Sequence, residues 1–113
     1  MDLFADETER VWVGVHFGSR GFGHTVASGF LALSLGQPWG SRAPEREVLL
    51  DLTAPLGEAY WSLMRLAGDY AYAGREWVIG KVLSIVGARE LQRIHNHHNF
   101  AWQEQHHGQT LWV

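Results

Sequence analysis

Residues 57–86 carry apolar side chains at helical spacing, and this stretch constrains the fold more than any other. Tyr60, Leu63, Met64, Ala67, Ala71, Trp77, Val78, Val82 and Ile85 recur as one apolar face. A helix of that length runs roughly 45 Å. A globule built from 113 residues does not comfortably cover it. Gly68, Gly74 and Gly80 fall inside it at six-residue spacing. Each glycine costs about 1 kcal/mol relative to alanine in a helix interior. The spacing therefore predicts either close packing or a break at these points, with Gly87 as the stop.

The rest of the chain must pack around that rod. The length allows one domain at most. A hydrophobic fraction of 46%, with six tryptophans, excludes a disordered composition. Residues 1–10 are polar and acidic after Leu3-Phe4. Val11-Trp12-Val13-Gly14-Val15-His16 reads as a buried strand. It runs into a glycine-rich loop, Gly18-Ser19-Arg20-Gly21-Phe22-Gly23. Residues 25–35 follow with helical spacing and a face of small residues (Ala27, Ser28, Gly29), expected to sit against a sheet. Residues 36–47 are loop, and Val48-Leu49-Leu50 is a short extended piece. After the long helix, residues 94–105 read as a strand, His106-His107-Gly108 as a turn, and residues 109–113 as the returning strand. The fold class is α+β: strand, glycine loop, helix, one long helix, then a β-hairpin-like tail.

Charge and composition exclude several functions. A net charge of −3 argues against a nonspecific basic nucleic-acid binder. The absence of cysteine removes disulfides, thiol catalysis and thiolate metal ligands from this chain. No apolar run reaches the ~20 residues of a membrane span. Residues 1–10 lack a signal-peptide core, so a cytoplasmic location is expected.

Two histidine-bearing stretches carry the chemistry. The glycines after His16 let successive backbone N–H groups face one concavity, which suits a phosphate. Arg20 adds a fork of donors and Ser19 a hydroxyl. The alternative is an ordinary strand-to-helix turn with a surface arginine. The second stretch is His95-Asn96-His97-His98-Asn99. Strand alternation would put His95 and His97 on one face, with Asn96 and His98 on the other. A polar edge strand is the alternative there. His24 reads as a helix-start residue, and His106 and His107 as solvated turn residues. Trp12, Phe100, Trp102 and Trp112 read as core, and Asp69 and Glu76 as solvated. Catalytic metal centres usually take a third protein ligand. No acid in the chain has a spacing that ties it to His16 or His98.

Val-His-Phe-Gly-Ser-Arg-Gly-Phe-Gly-His at 15–24 resembles the His-x-Gly-Ser-Arg-Gly segment of RtcB-type RNA ligases. His97-His98-Asn99-Phe100, with Glu104 and Gly108, is similar to that family's second histidine segment. Residues 57–79, including Tyr70-Ala71 and Gly74-Arg75, and Asp2-Leu3-Phe4 are similar too. The resemblance implies a partial RtcB-type fold, residues 1–113 forming one partial domain from the middle of a longer catalytic domain. It implies joining of RNA 3′-phosphate or 2′,3′-cyclic phosphate ends to 5′-hydroxyl ends, with GTP and Mn²⁺. By resemblance, His16 and His98 are metal ligands, Asn99 contacts the nucleotide, and Arg20 and Ser19 hold RNA phosphate. RNA and an archease-type activator are the implied partners. The family's Asp and Cys ligands and Gly-Thr-Gly-Asn motif are expected before this segment, and its guanylated histidine and Arg-Lys-Gly-Ala segment beyond Val113. The chain alone is therefore expected to be inactive. Two other readings compete. One is a truncated stand-alone metal- or phosphate-binding module, holding Zn²⁺ or no metal. The other is self-association through the long helix or the open tail strand.

Overall fold

The computed structural model describes residues 1–44, 46–97 and 100–113. Its elements are β1 (Asp2–Ala5), β2 (Val11–Gly14), α1 (Phe22–Ser34), α2 (Pro55–Val86), β3 (Gln103–His106) and β4 (Gln109–Trp112). This is a small α+β arrangement of two helices and two antiparallel hairpins.

Helix α2 is unbroken over 32 residues, roughly 48 Å. Pro55 stands at its first turn, where a missing N–H costs nothing. Asp51 shapes the approach: its Oδ1 accepts the Thr53 N–H at 2.9 Å and the Thr53 hydroxyl at 2.7 Å. Gly57 is buried because the Asp51 carbonyl lies where a side chain would begin. Gly87 ends the helix at φ 66°, its N–H donating to the Leu83 carbonyl. The three inner glycines differ in purpose. A Cβ on Gly68 would meet the Phe100 ring at 2.6 Å, and one on Gly74 the Phe17 ring at 3.1 Å. Around Gly80 nothing lies within 4 Å. Two are sites of close approach, one is open, and none breaks the helix.

Helix α1 starts three residues before the expected Thr25. Arg20 (φ 56°) and Gly21 (φ 94°) turn the chain in left-handed conformations. The Ser19 Oγ then accepts the Gly23 N–H at 2.7 Å, satisfying a donor of the first turn. The small-residue face does not meet a sheet. α1 packs on α2, and Gly29 lies beneath the Trp39 ring. Val26, Phe30 and Ala32 of α1, with Ala67 and Ala71 of α2, are the buried apolar residues among those described. The Phe30 ring meets Trp39 and Tyr60 edge-on at 5.5 and 5.4 Å.

The sheets are two separate ribbons. β1 pairs with β2, Phe4 opposite Trp12. The expected buried strand is shorter, ending at Gly14, and Val11 is 70% exposed because the described residues include no further strand beside it. β3 and β4 form the tail hairpin, with His107 (φ 50°) and Gly108 (φ 79°) as a two-residue left-handed turn. Residues 94–97 and 100–102 are irregular, and of the expected strand residues 103–105 fall in β3, which runs one residue further to His106. Trp102 and Trp112 are 42% and 46% exposed rather than core. Residues 48–50 form no strand. No helix among the described residues is long and apolar enough to cross a membrane.

Candidate functional site

The floor of the site is a stripe on α2. Met64, Ala67, Gly68, Ala71 and Arg75 recur at helical spacing and line one cavity of about 340 Å³. The first four are small or flexible, so the chain on either side approaches the helix closely. On one wall stand His16 and Ser19 of the loop leaving β2 and His24 of the first turn of α1; on the other stand His97 and Phe100. A second cavity, also about 340 Å³, lies alongside and reaches Glu76, Arg93 and His95. His16, Phe17, Arg75 and His97 line both cavities. The glycine loop and the histidine segment, 80 residues apart in sequence, thus face each other across α2.

Arg75 joins the two walls. Its Nη1–H donates to the Phe17 carbonyl at 2.8 Å. Its Nε–H donates to His95 Nε2 at 3.0 Å, and its Nη2–H to the Asn96 carbonyl at 3.3 Å. The residue is only 9% exposed. A buried guanidinium needs such acceptors, and here two carbonyls and an imidazole supply them.

The histidine segment lies along α2 as a stack of rings. The His95 ring stacks on Tyr72 at 3.5 Å, and His97 lies between Tyr72 at 5.3 Å and Phe100 at 4.9 Å. Phe100 continues to Trp61, and Trp61 to Trp112 of the tail hairpin. Because His95 Nε2 accepts from Arg75, a neutral His95 carries its proton on Nδ1, 4.0 Å from Glu76 Oε1. Burial lowers the His95 pKa below its ordinary value, and the Arg75 charge adds to the effect. Glu76 is itself engaged, accepting from Arg93 at 2.8 Å.

The sequence-derived candidates fall into place unevenly. His16 is exposed at the mouth of both cavities. Ser19 lines the second, but its Oγ is occupied as the acceptor for Gly23. Arg20 is exposed and lines neither cavity. His98 and Asn99 lie outside the described residues. His24, read as a helix-start residue, does sit in the first turn of α1 and also lines the cavity. His106 is exposed as expected, and its Nε2 lies 2.7 Å from Glu104 Oε2. Sequence reasoning assigned no role to Arg75 or Tyr72. The available signal was a charged residue on the apolar stripe of α2.

Among the described residues, no three His, Asp or Glu side chains converge on a point that would hold a metal. Imidazoles from two segments flank the cavity, but the described residues do not by themselves fit a metal ion.

Comparison with known proteins places the whole chain. The family model for tRNA-splicing ligase RtcB matches residues 1–113. The tRNA-splicing ligase RtcB of Pyrobaculum aerophilum is 34% identical over 116 aligned residues, covering 92% of this chain and 24% of that protein. That of Thermococcus kodakarensis is 37% identical over 76, covering 61% of this chain and 15% of the relative. The RNA-splicing ligase RtcB of Escherichia coli is 23% identical over 127, covering all of this chain and 31% of the relative. The chain thus spans less than a third of the length of these curated relatives. No solved structure matches it significantly. With two histidine segments facing each other across one helix and a family match from Met1 to Val113, the chain belongs to the RtcB family.

Proposed function

We propose that this chain is the part of an RNA ligase that brings the two histidine segments together. The ligase would join 3′-phosphate or 2′,3′-cyclic phosphate ends of RNA to 5′-hydroxyl ends, using GTP and Mn²⁺. The observation that carries the reading is the facing of His16 and His97 across the Arg75 stripe, together with the family match over the whole chain. In this reading His16 and His98 contribute to the Mn²⁺ site. The remaining ligands come from the part of the relatives' length that this chain does not span. Bound manganese supplies a Lewis acid at phosphorus. Asn99 contacts the nucleotide, and Arg20 and Ser19 hold RNA phosphate. Arg20 suits this role because it is exposed within the glycine loop, where a polyanion can reach its planar fork. RNA is the partner, and an archease-type activator would serve the complete enzyme. A cytoplasmic location suits such an activity.

The 113 residues alone are expected neither to ligate RNA nor to take up GMP from labelled GTP. The test is a chimera. The matching segment of the Escherichia coli relative is replaced by this chain and assayed on 3′-phosphate and 5′-hydroxyl RNA ends. Ligation that disappears with His16→Ala or His98→Ala supports the reading. A folded chimera that still ligates with His16→Ala overturns the assignment of that residue.

A further inference from the structure

We infer that Arg75 is the positioning residue of this site: its guanidinium sets the distance between the loop that carries His16 and the segment that carries the histidines. What the site does with that spacing rests on the ligase reading; the joint itself does not.

Two segments far apart in the chain meet on one side chain. Phe17 is 58 residues from Arg75, and His95 and Asn96 are 20 and 21 residues from it. Both described ladders lie elsewhere, pairing β1 with β2 and β3 with β4. Neither joins the glycine loop to residues 94–97. The Phe17 carbonyl follows His16 directly, and the Asn96 carbonyl directly precedes His97. Fixing those two carbonyls therefore fixes the backbone beside both histidines.

The geometry requires arginine rather than charge alone. Nη1, Nε and Nη2 each use a separate acceptor, at 2.8, 3.0 and 3.3 Å, from one rigid plane. A lysine ammonium is a point charge on a flexible stem and cannot span all three. Burial adds to the consequence: Arg75 is itself buried, so loss of the guanidinium leaves a gap between the two segments as well as three acceptors without their donor. Tyr72 stacks on one face of His95, with the Arg75 Cζ 5.9 Å from the Tyr72 ring. The His95 imidazole is thus fixed by a stack and by one hydrogen bond that selects its tautomer.

The experiment compares Arg75→Lys and Arg75→Ala with Arg93→Lys in the 113-residue chain. Arg93 borders the same cavity but pairs with Glu76 and Glu90. Hydrogen exchange is followed by mass spectrometry, and the His95 tautomer by ¹⁵N-histidine NMR at about pH 8, where imidazole is neutral. Both Arg75 variants are expected to speed exchange about tenfold or more in residues 14–24 and in residues 94–97, with the first half of α2 still protected. The His95 proton is expected to leave Nδ1 for Nε2, a signature that a packing role alone would not move. Arg93→Lys should change neither. Unchanged exchange and tautomer in Arg75→Ala overturn the proposal, as does loosening of one segment only. Loss of the helical circular-dichroism signal in both variants also overturns it, since Arg75 would then be a folding residue. None of these measurements reads ligation, so the chimera assay and this one fail independently.

Discussion

Asp6 gathers the turn between β1 and β2 onto one carboxylate. Its Oδ1 accepts the Thr8 N–H at 2.9 Å, the Thr8 hydroxyl at 2.7 Å and the Arg10 N–H at 3.0 Å, while Oδ2 accepts the Trp12 indole N–H at 2.8 Å. These bonds, Trp12 first and Thr8 next, lower its pKa from 3.8 to about 2. A depressed carboxyl pKa means stability present above the unfolded value and lost as pH falls through the folded one. The Trp12 indole proton resonance is therefore expected to titrate near the lower value, and a midpoint close to 3.8 would refute the contact. His95 has the same pH sign for a different reason. Burial and then the Arg75 charge lower its pKa, so the fold favours the neutral ring. Its contribution is complete above the ordinary value of 6.5 and declines as pH drops below it, while the unfolded chain takes up the proton first. A histidine proton-resonance titration with its midpoint above 6.5 would exclude this arrangement. At this scale the sequence held a signal that its reading passed over. Asp6-x-Thr8 recurs as Asp51-x-Thr53, the same side-chain turn at both places. Arg75 was harder to read because its acceptors are carbonyls and an imidazole far away in sequence, which no local pattern encodes.

At the scale of the element, the six-residue glycine spacing in α2 separates into distinct physical cases. Gly80→Ala adds a methyl to open space in an exposed helix interior, so only the backbone preference changes. A gain of about 1 kcal/mol is expected, read as a rise of roughly 4 °C in the helix melting midpoint. Gly68→Ala carries the same preference but places its Cβ 2.6 Å from the Phe100 ring. Phe100 holds His97 on one side and Trp61 on the other, so its ring cannot swing away freely. This variant is expected to melt lower than the wild type despite its better helix propensity. A midpoint raised as much as in Gly80→Ala would show that Phe100 yields at no cost. The helix itself was plain in the sequence because its apolar period runs for eight turns. β1 was not, because Asp2-Leu3-Phe4-Ala5 has no alternation of its own and becomes a strand only through its partner. The strand expected over 94–105 forms at 103–105, but its start failed for the opposite reason. Rings at His95 and His97 are drawn onto Tyr72, and that side-chain stacking displaces the extended pairing the local pattern implied.

The whole molecule is too open for its length. Its radius of gyration is 18.4 Å and its extents are 54 × 39 × 20 Å; a compact domain of this size has a radius of about 13 Å. The cause is the mismatch between the helices. α1, at 13 residues, covers roughly 20 Å of an α2 more than twice as long. Beyond Arg75 the helix is covered only in part, with Trp77, Ile85 and Val86 exposed and Leu91 and Ile94 exposed just beyond. The sequence carried this imbalance as a rod that 113 residues could not cover, and only the packing shows which end stays bare. Stability should therefore be distributed unevenly. The five buried apolar residues all lie where α1 crosses α2, so that region should open last. The tail hairpin is anchored mainly through Trp112 on Trp61 and through its own ladder, and two-stranded hairpins are marginal in water. Thermal unfolding is accordingly expected in two steps. Tryptophan fluorescence, weighted by Trp61, Trp102 and Trp112, should change before the helical circular-dichroism signal falls, and a dye that reports exposed apolar surface should bind the native chain. Coincident fluorescence and dichroism transitions, together with no dye binding, would mean that the exposed end of α2 is covered in solution and that this distribution of stability is wrong.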